Sequence, residues 1–226
     1  MNTKVISLFA LLATVAPAAV SEAAPRPSCP PPAATPACCA PEKTGDAKGA
    51  AASCCEEIKP AAPLTARSLY QLDAKFTDDA GRPATLASWR GRPVVLAMFF
   101  ASCEYACPVL VEDLKRMRAA LPEAARAQTQ IGLVSFDVAR DTPAALNAFR
   151  VRMNLDANWT LLRGETVGVQ DLAMLLGVKF KQDARGQFAH SNLFTVLNAE
   201  GEIAYQHAGL MGDISEAAKA VVAVGR

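Results

Sequence analysis

The run Pro93–Phe100 (PVVLAMFF) is the tightest constraint in this sequence: eight residues with no polar interruption. It is far shorter than the roughly 20 apolar residues a membrane-spanning helix needs. It also lacks the alternation of a strand with one wet face, so it predicts a strand covered on both faces. Within a few residues the period changes. From Cys107 to Leu121, the residues Leu110, Leu114, Met117 and Leu121 form one helical stripe. A strand buried on both faces that hands over to an amphipathic helix belongs to an α/β architecture.

The rest of the chain repeats the theme. Ile131–Phe136 predicts a second buried strand. Thr142-Pro143 reads as a helix N-cap and first position, followed by Leu146, Phe149 and Met153 on one face. A short strand near Thr160–Leu162 precedes a helix carrying Val169, Leu172, Leu175 and Leu176, which Gly177 can end. Asn192–Leu197 and Glu202–His207 predict a hairpin across Ala199-Glu200-Gly201, and Asp213 with Glu216 suggests a capping box for a closing helix. The order βαβα, short strand, helix, hairpin, helix is that of a thioredoxin-like fold, a central mixed sheet flanked by helices. We assign it to residues 64–226, which are long enough for a single core.

The other 63 residues differ in kind. Lys4 and the apolar run Val5–Val15, followed by small residues around Ser21–Ala24, predict a signal peptide over residues 1–24. The expected location is then the periplasm or another extracytoplasmic space, the alternative being an uncleaved anchor in the inner membrane, facing the periplasm. Residues 25–63 are rich in Ala and Pro and nearly free of large apolar side chains. Such a stretch predicts a disordered tether, since too little surface can be buried to offset the ordering entropy. Net charge is +1 with no basic block, which speaks against a nucleic-acid surface or docking to anionic lipid.

Five of the seven cysteines fall in that tether: Cys29, Cys38-Cys39 and Cys54-Cys55. In an oxidising compartment thiols pair, bind metal or are kept reduced by partners, and an odd count means that not all can pair within the chain. Adjacent cysteines rarely bridge each other. Two readings of the CC pairs stay open, chelation of a soft ion such as Cu(I) or Zn(II), or incidental thiols.

The other two, Cys103 and Cys107, lie where the first strand meets the first helix, in the segment CEYACP. Carboxyl ends of strands are where α/β sheets build sites. Pro108 suits a first helical turn, so Cys107 falls at a helix N-terminus, where the dipole and free N–H groups favour thiolate. A three-residue spacer permits either a disulfide or a metal held between the sulfurs. Two thiolates favour Cu(I), and an added imidazole gives a set that Cu(II) also occupies, although Zn(II) fits the same donors. His190, just before the predicted hairpin strand, is the natural third ligand.

FFASCEYACPVL at Phe99–Leu110 resembles the signature of the Sco/SenC family of copper-binding proteins, whose core is CxxxCP. The likeness extends to SLYQL at Ser68–Leu72, Phe76-Thr77-Asp78, Gly81 and Leu86, then FDVARDTP at Phe136–Pro143, and His190-Ser191-Asn192. It spans about Ser68–Ala208. The resemblance implies that Cys103, Cys107 and His190 hold one copper, as Cu(I), Cu(II) or both. It implies either a metallochaperone for the dinuclear copper centre of cytochrome c oxidase subunit II, or a thiol:disulfide oxidoreductase that reduces a client's cysteines through Cys103 and Cys107. A thiol reductant is the second expected partner. The cysteine-rich tether is no part of that signature.

Asp137, after the second strand, is a candidate to orient a ligand or partner. Asp141 is expected to support the helix start beside Thr142, His207 to be structural or exposed, and Trp89, Phe99 and Phe100 to pack. A peroxidase reading is disfavoured because Phe100 stands where such proteins place a threonine. A copper buffer working through the tether thiols is a further, non-catalytic alternative.

Overall fold

In the computed structural model the described residues are 63–184 and 186–226. The expected signal segment, the tether and its five cysteines lie outside them. Among the described residues no helix is long and apolar enough to cross a membrane.

The buried run forms β3 (Val94–Phe99), and all six of its side chains are buried. Successive strand residues point to opposite faces, so burial of all six means that both faces are covered. Helix α1 (Ala106–Ala119) follows, then a short α2 (Glu123–Gln128). The chain returns as β4 (Gln130–Ser135), again buried throughout and parallel to β3 from Val94↔Gln130 to Phe99↔Ser135. Helix α3 (Pro143–Arg152) starts as the sequence predicts: Thr142 Oγ1 accepts from Ala145 N–H at 3.2 Å and Pro143 opens the first turn. β5 (Trp159–Gly164) lies parallel to β4. Helix α4 (Thr166–Leu176) stops at Gly177, whose left-handed backbone (φ +71) is the conformation that favours glycine.

The hairpin is present as β8 (Leu193–Leu197) and β9 (Ile203–Ala208), with β8 antiparallel to β3. With β1 (Phe76–Asp78) and β2 (Pro83–Ala84) added beyond β5, the seven-stranded sheet has the order β2-β1-β5-β4-β3-β8-β9. Helix α5 (Ser215–Val224) packs on β8, β9 and α1, while α3 packs on β5. This is the thioredoxin-like layout expected.

Three details depart from the sequence reading. The capping box before α5 does not form: Asp213 takes the N–H and hydroxyl of Ser215, and Glu216 pairs with Lys219 instead. Asp141 does not serve the start of α3. It is 2 % exposed, accepts the Ala101 N–H at 2.8 Å and the Ser135 hydroxyl, and so ties the ends of β3 and β4 together. A separate two-stranded ribbon, β6 (Phe180–Gln182) with β7 (Phe188–His190), precedes the hairpin. At three residues each, strands this short carry too little alternation to be read from sequence.

Candidate metal centre

The site is built where β3 ends. Cys103 N–H bonds to Phe100 O at 3.2 Å, so the chain turns tightly off the strand. Four residues later Cys107 lies in the first turn of α1, fully buried against the core, while Cys103 stays half-buried. The Cys107 N–H, one of the donors a helix start leaves unpaired, points at Cys103 Sγ at 3.3 Å. The two thiols therefore differ sharply. Hydrogen bonds from the Cys107 side chain, the Cys107 and Tyr105 backbone and His190 outweigh burial and pull Cys103 down to about 5. Cys107 is pushed far up, because its proton is held in the bond to Cys103 and its surroundings are dry. The pair is thus a half-buried thiolate with a fully buried thiol behind it.

His190 closes the third side. It is the last residue of β7, on the ribbon rather than in a loop entering the main sheet. Its ring stands edge-on to Phe100 (5.7 Å between centroids) and tilts over Phe136 (5.1 Å), and Nδ1 lies 3.2 Å from Ser191 O. Phe188 packs on both phenylalanines and Phe180 stacks on Phe136 at 4.9 Å, so the ribbon is attached through an aromatic cluster. Phe100 and Phe136 follow directly on β3 and β4, which is why the ribbon docks at the end where the cysteines are.

The ligand atoms of Cys103, Cys107 and His190 all lie within 4.8 Å of one another, the one such grouping among the described residues. A soft first-row ion about 2.3 Å from sulfur and 2.0 Å from imidazole nitrogen separates trigonally placed donors by roughly 3.7–4.0 Å. The three donors fit such an ion after a contraction of at most about 1.1 Å by that arithmetic.

Asp137 touches none of the three. It is 1 % exposed and binds the Arg140 guanidinium, whose Nη2 donates to Gly186 O at 2.7 Å in the turn between β6 and β7. Arg140 also lies over the Phe188 ring at 5.7 Å. Asp137 thus acts on His190 only through Arg140 and the ribbon. Arg140, Phe136 and Phe188 escaped the sequence reading. The one available signal was an arginine among the aspartates of FDVARDTP, and nothing local links it to a turn 46 residues away. Tyr105 is 68 % exposed, and His207 stacks on Phe194 at 4.9 Å as a packing residue.

The family described as SCO1/SenC matches residues 64–224. The chain belongs to the SCO1/SenC family. A Stutzerimonas stutzeri protein to which copper binding is ascribed is 27 % identical over 141 residues, covering 61 % of this chain and 67 % of its own. Among solved structures, Bradyrhizobium japonicum ScoI with copper bound superposes with a TM-score of 0.55 at 20 % identity, over 67 % of this chain and 96 % of ScoI. BsSco, described as a member of the Sco family of cytochrome c oxidase assembly proteins with a disulfide switch, gives 0.60 at 20 % identity, over 69 % and 94 %. At these identities the Sco structures establish the shared fold, and the donor set in this chain is carried by its own geometry.

Proposed function

We propose that this protein is a copper metallochaperone of the extracytoplasmic space, which holds one copper on Cys103, Cys107 and His190 and passes it to a copper-site client. The observation that carries the reading is the convergence of two thiols and an imidazole from β3–α1 and from β7 within 4.8 Å. Two thiolates and one imidazole are the donors that accept Cu(I) and tolerate Cu(II). Copper bound in B. japonicum ScoI and the copper binding ascribed to the S. stutzeri relative support the choice over zinc. The client we propose is the dinuclear copper centre of cytochrome c oxidase subunit II, supported by the assembly role ascribed to BsSco. The half-buried Cys103 suits transfer, since an incoming thiolate reaches the metal there first.

The test uses residues 64–226, reduced and loaded with copper, with metal per chain and the sulfur-to-Cu(II) charge-transfer band recorded for wild type and His190→Ala. One tight equivalent with that band, both lost in the mutant, is the expected result.

The cysteine pair also favours a second reading, reduction of a client's disulfide. An accessible thiolate attacks, and the buried Cys107 resolves the mixed disulfide. In that case His190→Ala retains most of its reductase rate, whereas the copper reading is sensitive to it.

A further inference from the structure

Helix α3 ends on two arginines, Arg150 and Arg152, and the negative end of the helix dipole favours cations there. Their surroundings differ. Arg150 forms an ion pair with Asp79 and donates to Asp156 O and Trp159 O, both at 2.9 Å. Arg152 is exposed and forms no ion pair among the described residues. It donates through Nη2 to Ala101 O at 2.7 Å, and its guanidinium lies over the Phe149 ring, 5.0 Å from the centroid. These contacts fix the position of the group and use one of its several N–H donors. The charge stays unmatched.

Arg152 stands at the open side of the metal centre. Cys107 is fully buried, whereas Cys103 lines a cleft of about 480 Å³ together with Ser102, Glu104, Pro108, Arg152 and Met153. Ala101, whose carbonyl the guanidinium holds, is two residues from Cys103, a stretch that spans at most about 7 Å. Both walls of the cleft are anchored. The Ala101 N–H is bound by Asp141 at 2.8 Å, and Lys115 Nζ holds the Met153 carbonyl at 2.7 Å. The hydrogen bonds to Cys103 come from Cys107, Tyr105 and His190, so the arginine is not spent on the thiol. Glu104, exposed beside Cys103, is the acid on the cleft and opposes an incoming anion.

A sulfur that approaches Cys103 through this cleft brings any carboxylate a few bonds behind it to Arg152, whose planar fork matches the two oxygens. We propose that Arg152 is a specificity-determining residue that selects, as exchange partners of Cys103, thiols with a carboxylate close to the sulfur. Such a thiol is a small thiol acid or a client cysteine beside an acidic residue. The proposal deepens the copper reading above and rests on the exchange at Cys103 that it requires. In that exchange the incoming thiol gives up its proton and its sulfur forms a bond to copper. The Cys103–copper bond breaks, Cys103 takes up a proton, and the oxidation state of the metal is unchanged.

The metal-free pair offers the same approach to a disulfide. Cys103 Sγ bonds to one sulfur, and the other leaves with the electron pair and takes a proton. Cys107 then gives up its proton and attacks Cys103 Sγ, which releases the second thiol. The disulfide is reduced to two thiols and the cysteine pair is oxidised. In both reactions the carboxylate stays outside the bonds exchanged and acts only through Arg152.

The experiment uses the full chain with C29S/C38S/C39S/C54S/C55S, so that Cys103 and Cys107 are its only thiols. The reduced, metal-free protein is mixed at one fixed pH with 3,3′-dithiodipropionate, bis(2-hydroxyethyl) disulfide or cystamine, whose matched arms end in carboxylate, hydroxyl and ammonium. Loss of free thiol gives each rate. Dividing by the rate of the hydroxyl compound on the same protein cancels the reactivity of Cys103 itself. The carboxylate-to-ammonium ratio is expected to fall about 5- to 10-fold in Arg152→Ala, between the worth of an exposed ion pair and that of an aligned charge-assisted bond. Arg152→Lys is expected to keep part of the ratio, and Glu104→Gln to raise it. A ratio that Arg152→Ala leaves unchanged would overturn the inference. So would one that Arg152→Lys loses as fully as Arg152→Ala, because the cause would then be the clamp on Ala101 and not the charge. The disulfide dimers of acetylated, amidated Gly-Cys-Glu and Gly-Cys-Gln separate the two sources. Discrimination between them that depends on Arg152 assigns the carboxylate to a client segment, and discrimination among the small disulfides alone assigns it to a small thiol acid. Copper titration of the same chain keeps the two readings apart: no tight copper sinks the copper reading, whereas tight copper with an unmoved ratio sinks the selection by Arg152 alone.

Discussion

The two halves of the metal centre are made differently. The thiol half is carried by β3 and α1, with Cys107 at 0 % exposure and the strand end pinned by Asp141. The imidazole half rides on a ribbon of two three-residue strands outside the main sheet, held by ring contacts and one arginine. Short two-stranded ribbons are marginal on their own, so His190 owes its place to Phe100, Phe136 and Arg140. For the carrier role proposed above, such an arrangement is apt: two thiolates set by the core would retain the metal, and an imidazole on a separately attached ribbon is the ligand that withdraws first.

If the thiol half is preset by the core, its proton affinities are the first place to break the comparison. In the reduced, metal-free domain the rate of Cys103 alkylation by iodoacetamide is expected to be half-maximal near pH 5, against an ordinary value of 9.0. Those four units amount to about ten-thousandfold in proton affinity. Cys107 is expected to stay unreactive through neutral pH. The linkage has a definite sign, because the folded value lies below the unfolded one. The stability contributed by Cys103 is complete above pH 9 and drains away as pH falls toward 5. Two cysteines alkylated together with a midpoint near 9 would mean that the N–H donors of α1 do not organise the pair.

Next in size is the loss of a buried sulfur. Cys107→Ser keeps the volume of the side chain but removes one of two thiolates, and Cu(I) affinity is expected to fall by about a thousandfold or more, a soft ion being poorly served by a hydroxyl. His190→Ala is expected to cost less, about 10- to 100-fold for Cu(I), with a larger loss for Cu(II), which relies on the imidazole. Competition titration against a Cu(I) chelator ranks the two. Because His190 is half-buried on the ribbon, its replacement should leave the thermal midpoint nearly unchanged. Equal losses in both variants would erase the distinction between a preset half and an attached one.

The sequence disclosed the thiol half far better than the imidazole half, and the reason is range. PVVLAMFF, CEYACP and the stripe through Leu110, Leu114 and Met117 are contiguous, so strand, site and helix can be read from local periodicity. His190 was legible as a ligand through resemblance and its nearness to a strand, but not its setting on β7. The contacts that place it come from Phe100, Phe136 and Arg140, 50 or more residues away. The two aspartates show the same limit. Asp137 and Asp141 look alike in FDVARDTP, yet one braces the ribbon through Arg140 and the other clamps Ala101 beside the cysteines. Only the fold tells which half of the site each serves.

That difference gives the smallest and most selective test, Arg140→Ala. The Arg140 guanidinium joins the buried Asp137 carboxylate to Gly186 O at the tip of the ribbon and covers Phe188. Its removal frees the turn without touching a ligand, and leaves Asp137 with a charge no longer paired to it. The expected outcome is a 3- to 10-fold loss of copper affinity, at the low end of what supporting residues around metal ligands contribute. Amide exchange should quicken over residues 180–190 and stay unchanged in β3 and α1. The alkylation midpoint of Cys103 should move little, because its main donors lie on α1 and the loop before it. Arg140 is half-exposed, so a global loss of stability is not expected. If exchange instead quickened in β3 as well, the ribbon would be part of the core's cooperative unit, and His190 would be as firmly built in as the cysteines.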